Sequence, residues 1–198
     1  MKGKHALPYK DDFLLSLQTD NYSPETLYNY ERDLALFENF LARDISIPLE
    51  KVTKRSVELY KAYLTSRDRK TAAGESATGR LSAGSINRVL SSLRRYLTYL
   101  IDMDYGAPVA PEVVKLIKMP RLHPRVAEFE ALVRLIESPA EFEQSKIVAL
   151  RNRALLETLF STGMRISELT SLNRDQIDRT GRIFIRGKGK KERFVYLT

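Results

Sequence analysis

The chain has 198 residues, 43% apolar and 29% charged, the composition of a soluble globular protein with one ordinary domain or two small ones. Its 33 Lys and Arg against 25 Asp and Glu leave a formal charge of +8, and a basic surplus favours a polyanionic partner, nucleic acid being the commonest. Cysteine is absent, which excludes a disulfide framework and thiolate metal sites and fits a cytoplasmic location, while no apolar run is long enough to span a membrane and Met1–Asp12 does not read as a secretory leader.

The first part of the chain reads as helical. Phe13, Leu14 and Leu17 suggest a short helix after Pro8. Ser23-Pro24-Glu25 is a helix start: serine caps free amides, proline suits the first position, and glutamate suits the positive end. Leu27, Tyr30, Leu34, Phe37 and Leu41 then form one helical face, which ends over Asp44–Glu50. Thr53 can cap a third helix with Val57, Tyr60 and Leu64 inward, and Arg67–Arg80 reads as an exposed loop. Ser82 opens a fourth helix with a stripe of Ile86, Val89, Leu90, Leu93, Leu97 and Leu100. Arg88 and Arg95, seven apart, share a side away from most of that stripe, with Arg94 adjacent. They are either a solvated face or contacts to a phosphate backbone.

Asp102–Pro124 carries Pro108, Pro111, Pro120 and Pro124 and reads as a linker region, with a short helix expected near Val113–Ile117. The expected organisation is a helical domain over residues 1–118, a linker over 119–126 and a second unit over 127–198. His123 sits in the linker, either structural or exposed, or touching a nucleic-acid backbone. The second unit opens with a helix bearing Phe129, Leu132, Val133, Leu135 and Ile136, turns at Ser138-Pro139, and continues in an apolar helix over Ser145–Phe160. Gly163 punctuates it, and a short helix follows over Ile166–Leu172. Arg182–Arg186 alternates as a strand, Gly187–Lys190 turns tightly, and Glu192–Leu197 returns, making a β-hairpin with a basic tip.

Two places carry a chemical signal. Arg165 is expected in the first turn of the helix after Gly163, where the macrodipole gives a cation no benefit. Guanidinium and free amides there can converge on an anion, with Glu168 one turn on holding Arg165; the alternative is an ordinary surface arginine beside a capping acid. The second place is the tip, Gly187-Lys188-Gly189-Lys190-Lys191, which lacks the spacing and following helix of a phosphate-binding P-loop. A lysine held by glycines against a phosphodiester can act as charge and general acid, whereas a solubilising basic turn would have no chemistry. From Arg179 to Arg193 there are seven basic residues and one acid, Glu192.

Thr162-Gly163-Met164-Arg165-Ile166-Ser167-Glu168-Leu169, Asp175-Gln176-Ile177-Asp178 and Gly187-Lys188-Gly189-Lys190-Lys191-Glu192-Arg193 followed by Val195 and Leu197 resemble the first box and the β-hairpin of the tyrosine recombinases, in the Xer and phage-integrase branch. Ser23-Pro24-Glu25-Thr26, and Leu81-Ser82 through Ile86-Asn87-Arg88 to Tyr96-Leu97, are similar to that branch's helical DNA-clamping domain. The resemblance implies a mainly α, four-helix, SAM-like N-terminal domain followed by the first part of an α+β catalytic domain. It implies that Arg165 contacts the non-bridging oxygens of the scissile phosphate, Lys188 protonates the departing 5′ oxygen, and Glu168 orients Arg165. Arg88, Arg94, Arg95, Lys190 and Lys191 would contact the backbone of double-stranded DNA. The implied chemistry is strand exchange through a 3′-phosphotyrosyl intermediate, without ATP, cofactor or added metal, by a tetramer on two DNA sites.

The family places a His-x-x-Arg pair, another His or Trp and the nucleophilic tyrosine later in the domain, and only ten residues follow Lys188 here. Tyr196 falls in the returning strand and is not assigned as nucleophile; the other nine tyrosines precede Arg165. The expectation is therefore a recombinase chain without the nucleophile, inactive alone and able at most to bind DNA. A non-catalytic DNA-binding or accessory protein is the alternative.

Overall fold

The computed structural model describes residues 6–66, 70–71, 79–120, 123, 126–187 and 191–197. Most of the loop expected over Arg67–Arg80 lies outside these. The chain divides into two compact units, Met1–Arg121 and Leu122–Thr198. Among the described residues no helix is long and apolar enough to cross a membrane.

The first unit is built from α1 (Lys10–Thr19), α2 (Pro24–Arg43), α3 (Lys54–Thr65) and α4 (Ala83–Asp102). Three of the four starts are set by hydroxyls: Ser23, Thr53 and Ser82 accept from the amides of Thr26, Ser56 and Ser85. The apolar stripes meet in one core, in which Phe13, Phe37, Leu41, Tyr60, Leu90 and Leu97 are essentially without solvent contact. Aromatic edges organise it: Phe37 meets Tyr60 edge-on at 4.8 Å between ring centres, and Phe13 meets Tyr96 at 5.7 Å. The N-terminal strap is tied down where the Leu7 amide and Lys10 Nζ donate to Glu38, and the Tyr96 hydroxyl donates to the Pro8 carbonyl.

A polar linkage crosses this apolar core. Asp33 of α2 is 3% exposed, and its Oδ2 accepts from Arg88 Nη1 at 2.5 Å and from Ser92 Oγ at 2.8 Å, both on α4. A carboxylate out of water needs such partners, so this pair fixes how α2 lies against α4. Arg88 keeps an exposed edge on its side of α4, 42% for the side chain, while Ser92, one turn on, is buried.

The segment after α4 also departs from expectation. Instead of a helix near Val113–Ile117, a single 3-10 turn covers Pro111–Val113. Beyond it Val114 is buried, and the Ile117 backbone donates to and accepts from the Asn87 side-chain amide at 2.8 and 3.0 Å. That amide offers the peptide group a partner that a helix would have taken from within the segment.

In the second unit α5 (Phe129–Glu137), α6 (Pro139–Phe142), α7 (Lys146–Thr162) and α8 (Ile166–Thr170) precede an antiparallel hairpin of β1 (Arg182–Arg186) and β2 (Glu192–Tyr196). The turn expected at Ser138-Pro139 is a one-turn helix, with proline in its first position. α7 runs to Thr162 and is closed by Gly163 at φ 60°, a left-handed conformation that glycine adopts at little cost. The hairpin register pairs Phe184 with Phe194 and Ile185 with Arg193. Alternation sends Ile183, Ile185 and Val195 into a small core with Met164 and Leu169.

Tyr60 is fully enclosed, and its hydroxyl has no hydrogen-bond partner among the described residues. Tyr60→Phe is therefore expected to raise unfolding stability by about 1 kcal/mol, since a buried hydroxyl without a partner is a desolvation cost that phenylalanine lacks. Urea denaturation followed by far-ultraviolet dichroism measures this; a loss of stability would show that the hydroxyl is satisfied.

Candidate functional site

The site grows from the sharp connection between α7 and α8. Gly163 ends α7, Met164 is buried in the small core, and Arg165 is the residue that caps α8, at φ −74° and ψ 151°. Arg165 thus precedes the helix rather than lying in its first turn. Its amide is not free for an anion either, because it donates to Glu168 Oε2 at 2.8 Å. What faces outward is the guanidinium: the side chain is 61% exposed, with Nη1 donating to Glu168 Oε1 at 3.0 Å.

Glu168 is the centre of this arrangement. Its side chain is only 6% exposed, and both oxygens are engaged twice. Arg193, reaching over from β2, donates Nη1 to Oε1 at 3.0 Å and Nη2 to Oε2 at 2.8 Å, a two-pronged pair. The carboxyl is held at about 2, well below its ordinary 4.5, chiefly by the Arg193 hydrogen bonds, then by the Arg165 amide and guanidinium, with burial opposing. The structure therefore brings Arg165 and Glu168 together in the spacing the sequence suggested, and adds Arg193, which the sequence places in the basic hairpin motif without indicating Glu168 as its partner.

Gly187, the last described residue before the hairpin tip, closes against the same group. A methyl group built on it would lie 2.8 Å from Glu168 Oε1, 3.1 Å from Arg193 Nη1 and 3.4 Å from Arg165 Nη1. Only glycine lets the backbone come this near. Lys188 and Lys190, and with them the tight turn expected over Gly187–Lys190, lie outside the described residues; Lys191 is exposed, and its carbonyl accepts from the Gly187 amide at 2.7 Å.

The basic surplus of the hairpin is smaller than its composition suggests, because its partners lie elsewhere in sequence or directly across the strands. Arg182 pairs with Asp178 at 3.1 Å and lies over the Phe194 ring, Arg186 stands 3.8 Å from Glu192, and Arg193 is taken by Glu168. Asp178 also accepts from the Thr180 hydroxyl and from the amides of Thr180 and Arg182, which hold its carboxyl at about 2, below the usual 3.8. In the first unit, Arg88 has one edge on Asp33 and is otherwise 42% exposed, while Arg94 and Arg95 are half-buried on α4.

The second unit has a single tyrosine, Tyr196. It lies on β2 three residues from Arg193, so strand alternation turns it to the opposite face from the Glu168 cluster. It is exposed there beside Phe194 and Phe184.

Glu168 and Asp178 both ionise more readily folded than unfolded, so their contribution is complete above the ordinary carboxyl range and is lost as pH falls from about 4.5 toward 2. Amide hydrogen exchange in β1, β2 and α8 is expected to accelerate within that window. In Glu168→Gln exchange should already be faster at neutral pH and less dependent on acid. Protection that is unchanged down to the lower limit would contradict the assignment.

Residues 11–103 match the phage integrase N-terminal SAM-like domain, and residues 125–198 match the phage integrase family. The tyrosine recombinase XerC of Myxococcus xanthus is 34% identical over 174 residues, covering 87% of this chain and 53% of that protein. XerC of Xanthomonas axonopodis pv. citri is 33% identical over 195 residues, covering 93% of this chain and 59% of that protein. The chain therefore spans little more than half the length of these relatives. Among solved structures, the XerH site-specific recombinase bound to its difH substrate is 20% identical with a TM-score of 0.64, over 100% of this chain and 60% of that one. The Tn1549 transposon integrase in complex with circular intermediate DNA is 19% identical with a TM-score of 0.57, over 98% of this chain and 61% of that one. These two establish the fold, a helical SAM-like unit followed by a mixed α+β unit. The matches over both units and the relatives make the chain a member of the tyrosine recombinase, or phage integrase, family, on its Xer-like side.

Proposed function

We propose that the protein takes part in site-specific recombination of double-stranded DNA, and that residues 1–198 supply its DNA-clamping unit and the phosphate-engaging half of its catalytic centre. The observation that carries this is an exposed guanidinium, Arg165, anchored through a buried carboxylate in the segment that matches the integrase family. An arginine held in this way can meet two non-bridging phosphate oxygens without first paying for its own ordering. It would stabilise the charge that develops when a phosphodiester is attacked.

In the complete reaction a tyrosine oxygen forms a bond to phosphorus and the bond to the 5′ oxygen breaks. The leaving oxygen takes a proton from Lys188, and a 3′-phosphotyrosyl link results. Religation to the 5′ oxygen of the partner strand reverses these steps, so no ATP, cofactor or metal is consumed. Glu168 acts on Arg165, not on DNA. We take none of the tyrosines of residues 1–198 as the nucleophile; the one in the second unit, Tyr196, faces away from the cluster. The working assembly is a tetramer on two DNA sites, and Arg88, Arg94, Arg95, Lys190 and Lys191 serve as backbone contacts in each protomer. Such contacts position the protein without reading sequence.

Fluorescence anisotropy with a labelled duplex tests the DNA reading. Affinity should fall steeply with salt, because each cation that meets a phosphate releases counterions, and Arg165→Ala should weaken binding while lowering the logarithmic salt slope by about one. Absence of binding at low salt would overturn the proposal. A suicide duplex run on a denaturing gel tests the chemistry: residues 1–198 should leave no covalent adduct, and a stable adduct would show that one of their tyrosines is the nucleophile.

A further inference from the structure

The buried end of the hairpin carries a group that no part of the proposed chemistry uses. Arg193 stands at an inward position of β2, opposite Ile185 and between residues of alternating faces. A charge at such a position is costly unless it is paired. Its pair is not local: Glu168 lies 25 residues earlier, on α8, and the two meet through parallel hydrogen bonds at 3.0 and 2.8 Å. The same Glu168 oxygen that takes Arg193 Nη1 also takes Arg165 Nη1. Gly187 closes over these three groups with no room for a side chain. One carboxylate thus ties the cap of α8 to the returning strand, and the backbone at Gly187 lies close against it.

The geometry points to Arg193 as a positioning residue for the phosphate-engaging centre: through Glu168 it fixes the guanidinium of Arg165, and with Gly187 it docks the base of the hairpin tip against that guanidinium. This rests on the proposed role of Arg165 and Lys188. Arg193 itself does not touch DNA. Its side chain is 38% exposed, with both terminal nitrogens spent on Glu168. The fork geometry matters as much as the charge, since both carboxylate oxygens must be held for one of them to face Arg165. Lysine, with a single ammonium, cannot do this.

The test uses the 198-residue chain with Arg193→Met, Arg193→Lys, Gly187→Ala, Glu168→Gln and the Glu168→Gln/Arg193→Met pair. The first readout is nuclear magnetic resonance without DNA: the titration of the Glu168 carboxyl and the Nε–Hε signal of Arg165. In Arg193→Met the carboxyl midpoint should rise from about 2 toward its ordinary 4.5, and the Arg165 signal should move to that of a solvated arginine, with α4 signals unchanged as a folding control. Arg193→Lys should not restore either signal.

The second readout is duplex affinity. Arg193→Met should weaken binding at least about threefold, with an unchanged salt slope, and the double variant should bind no worse than Glu168→Gln alone, as expected when one residue acts through the other. Losses that add, with a lower salt slope, would make Arg193 a direct phosphate contact and overturn the inference. So would an unchanged Arg165 signal in Arg193→Met. A wild-type chain that binds no duplex would remove the proposed function, while the resonance signals would still decide whether Arg193 fixes Arg165. If Arg193→Met unfolds the second unit, Gly187→Ala carries the same readouts, because it crowds the same carboxylate while leaving every charge in place.

Discussion

The second unit depends on one buried carboxylate. Its hydrophobic core is small, five buried side chains among the described residues, and by itself gives four helices and a two-stranded hairpin little to hold them in one arrangement. Glu168 supplies what area does not. It is acceptor to a backbone amide and two guanidinium groups, each from a different direction. Charged hydrogen bonds of this kind are directional, so they select one relative placement of α8 and β2 where apolar contact alone would tolerate several. The exposed guanidinium that the proposed function needs is a by-product of the same constraint.

The first unit solves the corresponding problem with apolar area and uses its polar linkage sparingly. Aromatic rings from α1, α2, α3 and α4 interlock, and the single charged crossing of that interior, Asp33 to Arg88 and Ser92, fixes the register of α2 against α4. Both units therefore place a carboxylate where packing alone is indifferent to sliding. They differ in what the partner arginine then does. Arg88 keeps an outer edge at the surface of a large core, whereas Arg165 projects from a thin one.

Much of this was legible from local pattern. Hydroxyl caps at Ser23, Thr53 and Ser82, the three-and-four spacing of Leu27 to Leu41 and of Ile86 to Leu100, and the alternation of Arg182–Arg186 are all short-range signals, and each corresponds to an element. The Thr162–Leu169 box placed Arg165 and Glu168 one turn apart, and they are in contact. What was not legible depends on residues far apart in sequence. The segment after α4 is extended because Asn87, 30 residues earlier, takes up its backbone groups, and no window around Val113–Ile117 contains that information. Arg193 was hidden among six other basic residues of the hairpin segment. Two faint signals marked it and Asp33 nonetheless: a charge on the inward phase of a strand whose neighbours are Ile185 and Val195, and a charge on the apolar stripe between Tyr30 and Phe37. In both cases a polar residue in phase with apolar ones implied a distant partner without naming it.

The alternation of β2 has a consequence for how this hairpin can vary. Five residues stand between Arg186 and Glu192 in the sequence, and their number does not decide which way the strand residues face, as long as Arg186 and Glu192 remain paired. An insertion of one residue between Glu192 and Arg193 would rotate every later side chain by half a turn. Arg193 would leave Glu168 for the outer face, and Phe194 would be driven inward in the place of Val195. Strand phase thus tolerates a change of length between Arg186 and Glu192 and forbids one immediately after Glu192.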